Sequence, residues 1–300
     1  MRASERGGGE LMSAGVVIWS GGRLVDPREA VVTAVDHGLT VGDGVFETCT
    51  VLRGQAFALT RHLRRLQRSA SGLGLPAPDE DLIRDGVRAV LAAAGDGAGR
   101  VRVTVTAGPG PVGSNRAAPG QERPTVVVVA APAARPVRAR VARVRWVRNE
   151  RSAVAGLKTT SYAENVVALA AAVTHGADEA IMANTVGDLC EGTGSNVVVE
   201  VGGELITPAL SSGCLAGITR ELLLEWAPEA GIVVREAGPG ELPFAVLDDV
   251  LAGRAQLALT SSTREVEPVA WLDGSDVLPG PVSIEAQAAF RARAEDDLDP

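Results

Sequence analysis

Ala155-Gly156-Leu157-Lys158-Thr159-Thr160-Ser161-Tyr162 sets a single lysine between an apolar run and the start of a helix. The chain carries 29 Lys plus Arg, and Lys158 is the only lysine among them. A surface that needs only positive charge can use arginine throughout. A desolvated lysine amine can lose its proton and attack a carbonyl, which a guanidinium cannot do. A genome biased toward arginine codons would explain why other lysines are missing. It does not explain why this one is kept, so Lys158 is the candidate reactive group.

Outward from Lys158, the pattern alternates strands and helices. A strand is expected over about Arg138 to Val147 and a helix from about Tyr162 to His175. Short strands are expected at Ala180–Ala183, Val197–Val201, Glu204–Thr207, Gly231–Arg235 and Gln256–Thr260. Further helices are expected at Ile218–Trp226 and about Ile284–Ala294. Upstream, Val16–Trp19 and Arg23–Asp26 flank a Gly turn, and Val45–Leu52, Arg100–Thr106 and Thr125–Ala131 read as strands. Two helices lie between them. Thr60 is the expected N-cap of one running to about Gly72, with Leu63, Leu66, Ala70 and Leu73 on its inner face and Arg61, Arg64, Arg65 and Arg68 outside. The second, about Asp79 to Ala94, has Leu82, Val87, Val90 and Leu91 as its stripe. Residues 108–123 form a long Gly/Pro loop, of a length often functional inside compact domains. Ala131-Pro132-Ala133-Ala134-Arg135-Pro136 is the linker signal. The expectation is therefore an α/β chain with a smaller N-terminal domain at 13–132, a linker at 133–137 and a larger domain at 138–300.

Composition excludes several classes. A formal net charge of -8 argues against nucleic-acid binding. No apolar run is long enough to span a bilayer. Met1–Glu10 reads as a disordered tail rather than a signal peptide. Cys49, Cys190 and Cys214 show no CxxC spacing, which points to reduced cytoplasmic thiols with neither a disulfide framework nor a metal site. His37, His62 and His175 are too scattered for a metal cluster.

Three weaker signals are compatible with a phosphate site. Gly217-Ile218-Thr219 opens a helix whose free N–H groups favour an anion. Ser261-Ser262-Thr263 gathers hydroxyls at a strand end, and Arg61 supplies a fork. Each also occurs as an ordinary cap, turn or solvated charge. Glu191, after Leu189-Cys190, reads as a buried carboxylate or a strand-edge charge.

Gly42-Asp43-Gly44-Val45-Phe46-Glu47, Arg61-His62-Leu63-Arg64-Arg65-Leu66, Lys158 with Ser161–Asn165, Glu191–Asn196, Gly217–Arg220 and Ser261–Thr263 before Val266–Val269 occur in a fixed order. In that order, from about Val16 to Trp271, the chain resembles the class IV, fold-type IV pyridoxal-phosphate enzymes. These include branched-chain aminotransferases, D-amino-acid aminotransferases and 4-amino-4-deoxychorismate lyases. The resemblance implies two α/β domains with pyridoxal 5'-phosphate in the cleft between them, usually in a homodimer, acting on a small molecule. It implies that Lys158 holds the cofactor as a Schiff base and shuttles protons, while Glu191 keeps the pyridine nitrogen protonated. Arg61, the Ile218 and Thr219 amides and Ser262 would hold the phosphate, and Asn196 would support the Glu191 strand. Phe46, Tyr162, Arg116 and Thr263 are the substrate-side candidates. Tyr162, the chain's one tyrosine, either reaches the pocket or packs at its helix start.

Two departures bear on the activity. Val101-Arg102-Val103-Thr104 stands where branched-chain aminotransferases carry a Tyr-Ile-Arg-Pro-like stretch. The loop through Arg116 lacks the histidine of the Arg-x-His trap found in D-amino-acid aminotransferases, although Arg116 could itself serve. The run from Thr159 to Asn165 looks most like the lyases. The expected activity is aminodeoxychorismate lyase, with transamination of D- or branched-chain amino acids as the alternative. A fold of this kind can also lose its chemistry, but retention of both Lys158 and Glu191 argues against that here.

Overall fold

In the computed structural model, which describes residues 15–134 and 138–300, the chain forms two units. The tail expected at Met1–Glu10 and residues 135–137 of the expected linker lie outside the described residues. The first unit holds the chain up to Ala134 together with Lys158–Ser161 and Leu298–Pro300. The second holds the remainder up to Leu157, and Tyr162–Asp297.

The first unit is built on a six-stranded sheet. Its strands are β1 (Val17–Ser20), β2 (Arg23–Val25), β3 (Gly44–Leu52), β4 (Gln55–Ala56), β5 (Arg100–Thr106) and β6 (Thr125–Ala131), in the order β2-β1-β6-β5-β3-β4. The short helix α1 (His37–Thr40) precedes β3, and α2 (Leu59–Leu73) and α3 (Glu80–Ala94) cover one face. Val45, Cys49, Val101, Val103 and Val105 point into that helical face and pack with Leu63, Leu66, Ile83, Val87 and Val90. Phe46, paired with Thr104, and Thr48, paired with Arg102, belong to the other face.

Three local expectations need correction. The N-cap of α2 is Ala58, in the left-handed region at φ 53, with no side-chain cap. Thr60 lies inside the first turn, where its N–H and hydroxyl both bond the Asp299 carboxylate. On α3 the inward residue is Ile83, fully buried, while Leu82 is turned out. Ile83, Val87 and Val90 keep the i, i+4, i+7 spacing that Leu82 breaks. On α2, Arg65 is not on the outer side. It is buried with His62 against Glu47: Arg65 donates through Nε and Nη2 at 2.8 and 2.7 Å, and His62 Nδ1 lies 2.6 Å from Glu47 Oε2.

Burial alone would raise the Glu47 carboxyl, but Arg65 and His62 outweigh it and hold it well below the carboxylate range. The network thus stabilises the fold above the unfolded pKa of about 4.3, and that contribution drains away as pH falls below it. Burial also pushes the His62 imidazole down despite Glu47. Charging of His62 in the unfolded chain therefore weakens the fold further in acid. Glu47→Gln strands Arg65 and is expected to cost about 3–5 kcal/mol, read as a shift in the urea midpoint. A loss below about 1 kcal/mol would show that the network carries no more than a surface pair.

The second unit has nine strands: β7 (Ala139–Arg148), β8 (Glu179–Asn184), β9 (Leu189–Gly192), β10 (Asn196–Val201), β11 (Glu204–Thr207), β12 (Val234–Glu236), β13 (Gln256–Ser261), β14 (Glu265–Leu272) and β15 (Ser275–Asp276). The order is β12-β11-β10-β13-β14-β7-β8-β9, with β15 on β14. β9 also pairs with β10 through Glu191 opposite Asn196, closing a ring of six strands. Val141, Ile181, Leu189, Val197, Val199, Leu257, Leu259 and Val269 form the core of this sheet. Helix α4 (Ala163–Thr174) packs Ala168 and Ala172 on the β7–β8 side. Helices α5 (Ile218–Trp226), α6 (Val246–Leu251) and α7 (Pro281–Asp296) complete the unit. The Glu200 carboxylate caps α7, accepting from Val282 N–H, Ser283 N–H and the Ser283 hydroxyl.

Among the described residues no helix is long and apolar enough to cross a membrane. No His, Cys, Asp or Glu group among them is arranged to hold a metal ion. The three cysteines are free and buried. Burial raises the Cys214 thiol to about 11, which leaves it inert at neutral pH.

Candidate functional site

Lys158 belongs to the first unit because a four-residue segment is stitched onto β3. Phe46 N–H donates to the Lys158 carbonyl at 3.1 Å, and Thr160 N–H to the Gly44 carbonyl at 2.8 Å. The Lys158 N–H donates to Ser69 Oγ, and the Thr160 and Ser161 hydroxyls both donate to the Gly42 carbonyl. Gly42 and Gly44 make room for this segment. A Cβ on Gly42, at φ +68, would lie 2.8 Å from Ser161 Oγ. One on Gly44 would lie 2.9 Å from the Val105 carbonyl and 3.0 Å from Thr160 Oγ1. The Gly-Asp-Gly spacing is thus the receptor for the lysine segment. The Lys158 amine sits 4.4 Å from the centroid of the buried Phe46 ring.

Arg61 is in the first turn of α2, and its Nε donates to the Pro300 carbonyl at 2.9 Å. Ala58 N–H bonds Leu298, so residues 298–300 brace the start of this helix. Arg116 lies in the loop 108–123. Its fork grips both Asp43 oxygens at 2.6 and 2.7 Å, and it donates to the Leu73 and Gly74 carbonyls at the end of α2. His37, buried beneath the loop, contacts the Pro111 carbonyl at 2.9 Å.

In the second unit, Glu191 on β9 is buried. Its Oε1 accepts from Arg148 Nε at 3.0 Å and its Oε2 from Leu215 N–H at 2.9 Å. Arg148 also donates to Asn165 Oδ1, and Asn165 Nδ2 donates to the Thr193 carbonyl, which ties α4 to the turn after Glu191. That turn is organised by buried Glu179, which accepts from Thr193 N–H at 2.8 Å, from the Thr193 hydroxyl and from Ser195 Oγ at 3.0 Å. Sequence reading missed Arg148 and Glu179. Arg148 ends a strand that already carries Arg140, Arg143 and Arg145 and follows Arg138, a run that reads as solvated charge.

Asn196 faces Glu191 across the ring closure and donates to the Leu215 carbonyl at 2.8 Å. Thus Leu215 is held by Glu191 through its N–H and by Asn196 through its carbonyl. Gly217 follows as the N-cap of α5, with no side-chain cap, ahead of the buried Ile218 and Thr219. A Cβ at Gly217 would stand 2.0 Å from Asn196 Oδ1, so glycine is required for this approach. Opposite Asn196 on β13, the buried Thr260 hydroxyl has no hydrogen-bond partner among the described residues. Ser262 and Thr263 occupy the turn between β13 and β14, whose first hydroxyl, on Ser261, accepts from Arg264 N–H. Tyr162 is the N-cap residue of α4 and makes no side-chain cap bond.

Taken unit by unit, these features each suit one part of a phosphorylated pyridine aldehyde. A lysine amine can take the aldehyde, and a buried, hydrogen-bonded carboxylate can face a ring nitrogen. A helix start without a side-chain cap, beside an orphaned buried hydroxyl, suits phosphate oxygens. Known proteins agree. Residues 44–271 match the family described as amino-transferase class IV. A Methanocaldococcus jannaschii protein provisionally named a branched-chain-amino-acid aminotransferase is 33% identical over 263 residues, 86% of this chain and 88% of its own length. A Mycobacterium tuberculosis protein named a bifunctional aminodeoxychorismate lyase / D-amino acid transaminase is 31% identical over 240 residues, 72% of this chain and 79% of its own. The structure of 4-amino-4-deoxychorismate lyase from Pseudomonas aeruginosa superposes with a TM-score of 0.76 at 30% identity, covering 94% of this chain and 100% of that one. The chain belongs to the class IV aminotransferase family, enzymes that work with pyridoxal 5'-phosphate.

Proposed function

We propose that this enzyme is a 4-amino-4-deoxychorismate lyase, converting its substrate to 4-aminobenzoate and pyruvate. The observation that carries this reading is the commitment of Arg116 to Asp43 and the end of α2. In a loop without a neighbouring histidine, that arginine is engaged as a structural clamp rather than held open for the α-carboxylates of many amino acids. The run from Thr159 to Asn165 and the likeness to the Pseudomonas lyase support the same reading.

In this assignment Lys158 holds the cofactor and Glu191, steadied by Arg148 and Leu215, faces its ring nitrogen. Arg61, the Ile218 and Thr219 amides and Ser262 hold the phosphate. Asn196 fixes the Glu191 strand and the approach to Gly217. When bound, pyridoxal phosphate supplies an electron sink. The Lys158 amine, displaced by the substrate amine, takes the proton from the amine-bearing carbon. That C–H bond and the C–O bond to the enolpyruvyl group both break, the six-membered ring becomes aromatic, and the released enolpyruvate takes a proton to become pyruvate. No keto-acid acceptor is consumed. Phe46, Tyr162 and Thr263 line the substrate side in this reading.

Homodimer formation and a cytoplasmic location belong to the same proposal. Val166, Val167 and Val173 on α4 are exposed apolar residues of the kind a second copy would cover. Transamination is the second reading, favoured by the Mycobacterium relative whose name carries both activities. The test compares kcat/KM for aminodeoxychorismate alone with that for D-alanine or L-leucine plus 2-oxoglutarate. The lyase reading expects aminodeoxychorismate to be preferred. An amino acid favoured by about tenfold, some 1.4 kcal/mol, replaces it with the transaminase.

A further inference from the structure

Helix α2 opens without an anion of its own. Its N-cap, Ala58, makes no side-chain cap bond, and its first turn holds no acidic residue. Helix α3 has the ordinary arrangement, with Asp79 as N-cap and Glu80 and Asp81 in the first turn. For α2 the missing group comes from 239 residues away. Thr60, the second helical residue, gives its N–H to Asp299 Oδ1 at 2.7 Å and its hydroxyl to Asp299 Oδ2 at 2.6 Å. We propose that Asp299 is a positioning residue for the cofactor phosphate: it caps α2 in place of Ala58 and thereby fixes the next residue, Arg61. The proposal rests on the reading of Arg61 as a phosphate ligand and deepens it by naming what holds that ligand in place.

Three consecutive residues engage the helix start in step. Ala58 N–H donates to the Leu298 carbonyl at 2.7 Å, Thr60 donates to Asp299, and Arg61 Nε donates to the Pro300 carbonyl at 2.9 Å. Ala58 stands at φ 53, a conformation that a residue with a Cβ keeps only where its surroundings hold it. The bond to Leu298 is one such hold. The Thr60 hydroxyl also accepts from Arg84 Nη2 at 3.0 Å, and Arg84 is itself fixed by Glu80. The oxygen that meets Asp299 thus ties the start of α2 to α3. A planar fork already fixed through one N–H loses less freedom when a phosphate engages it. Contacts of this kind also close a fold without serving its chemistry, so the test must separate bracing from positioning.

The full-length protein, freed of cofactor, is titrated with pyridoxal phosphate and with pyridoxal, which lacks the phosphate. Binding is followed by absorbance. The quantity read is the phosphate preference, the dissociation constant for pyridoxal divided by that for pyridoxal phosphate. Asp299→Ala is expected to lower this preference by about tenfold. Arg61→Gln should lower it at least as much. The double variant should fall no further than Arg61→Gln alone, because Asp299 acts through Arg61. A merely structural role would weaken both ligands alike and leave the preference unchanged. An unchanged preference in Asp299→Ala therefore overturns the proposal, as does an additive loss in the double variant. If Asp299→Ala does not fold, Asp299→Asn decides, since it keeps one acceptor for Thr60 N–H and loses the charge. Its preference should fall about threefold, and an unchanged value overturns the proposal. If Arg61→Gln leaves the preference unchanged, the phosphate reading of Arg61 fails and takes the proposal with it. If Arg61→Gln lowers it and Asp299→Ala does not, the proposal alone fails.

Discussion

Lys158→Ala lowers turnover by at least about 10⁴-fold while the fold survives. The same amine tethers the cofactor and moves the proton, so one substitution removes both functions. The fold should tolerate the change because the segment is held mainly by backbone and hydroxyl contacts. The Lys158 N–H to Ser69, its carbonyl to Phe46 and the Thr160 and Ser161 bonds to Gly42 and Gly44 all remain in the variant. Cofactor absorbance, circular dichroism and product formation are measured on the same sample. Retained turnover above about one per cent of wild type, a barrier change below about 2.7 kcal/mol, removes Lys158 from the chemistry.

Glu191→Gln should retain the cofactor and lose about 10²–10³ in kcat. A pyridine nitrogen that must stay protonated needs an anion opposite it, and a neutral amide cannot hold that proton. The variant is nearly isosteric: its one amide oxygen keeps either Arg148 or Leu215 N–H as donor while the other faces the new NH2 group, and the ring closure through Asn196, a backbone pairing, should persist. Kinetics and cofactor occupancy are read together. Near wild-type kcat at full occupancy would eliminate the role. Loss of cofactor, instead of rate, would make Glu191 a binding residue only.

The strands Arg100–Thr106, Thr125–Ala131 and Glu204–Thr207 and the helix Ile218–Trp226 were legible to the residue. Each has local cause: clean alternation or a β-branched run, a Gly-Gly turn, or a helix opening at Gly217. What escaped reading is non-local. Thr60 looks like an N-cap until Asp299, 239 residues away, takes its N–H. Arg65 looks solvated until Glu47 pulls it inward. Arg148 carries no sequence mark separating it from four neighbouring arginines, because its role exists only once the fold brings the end of β7 to Glu191 on β9. β14 is legible only as a motif, since Pro268 has no N–H to donate and discourages a strand reading. The fold places that proline opposite Ala258 all the same. Of the candidate site, Lys158, Glu191, Asn196 and Gly217 were marked by their motifs. The stacking of Arg102 on Phe46 carries no sequence mark, because it depends on the register between β3 and β5.

The most direct test of the central claim is borohydride reduction of the protein loaded with pyridoxal phosphate, followed by peptide mass mapping. The account predicts one pyridoxyl group per chain, on the peptide that contains Lys158. A label on the N-terminal amine, or no label on a protein that retains activity, would contradict it.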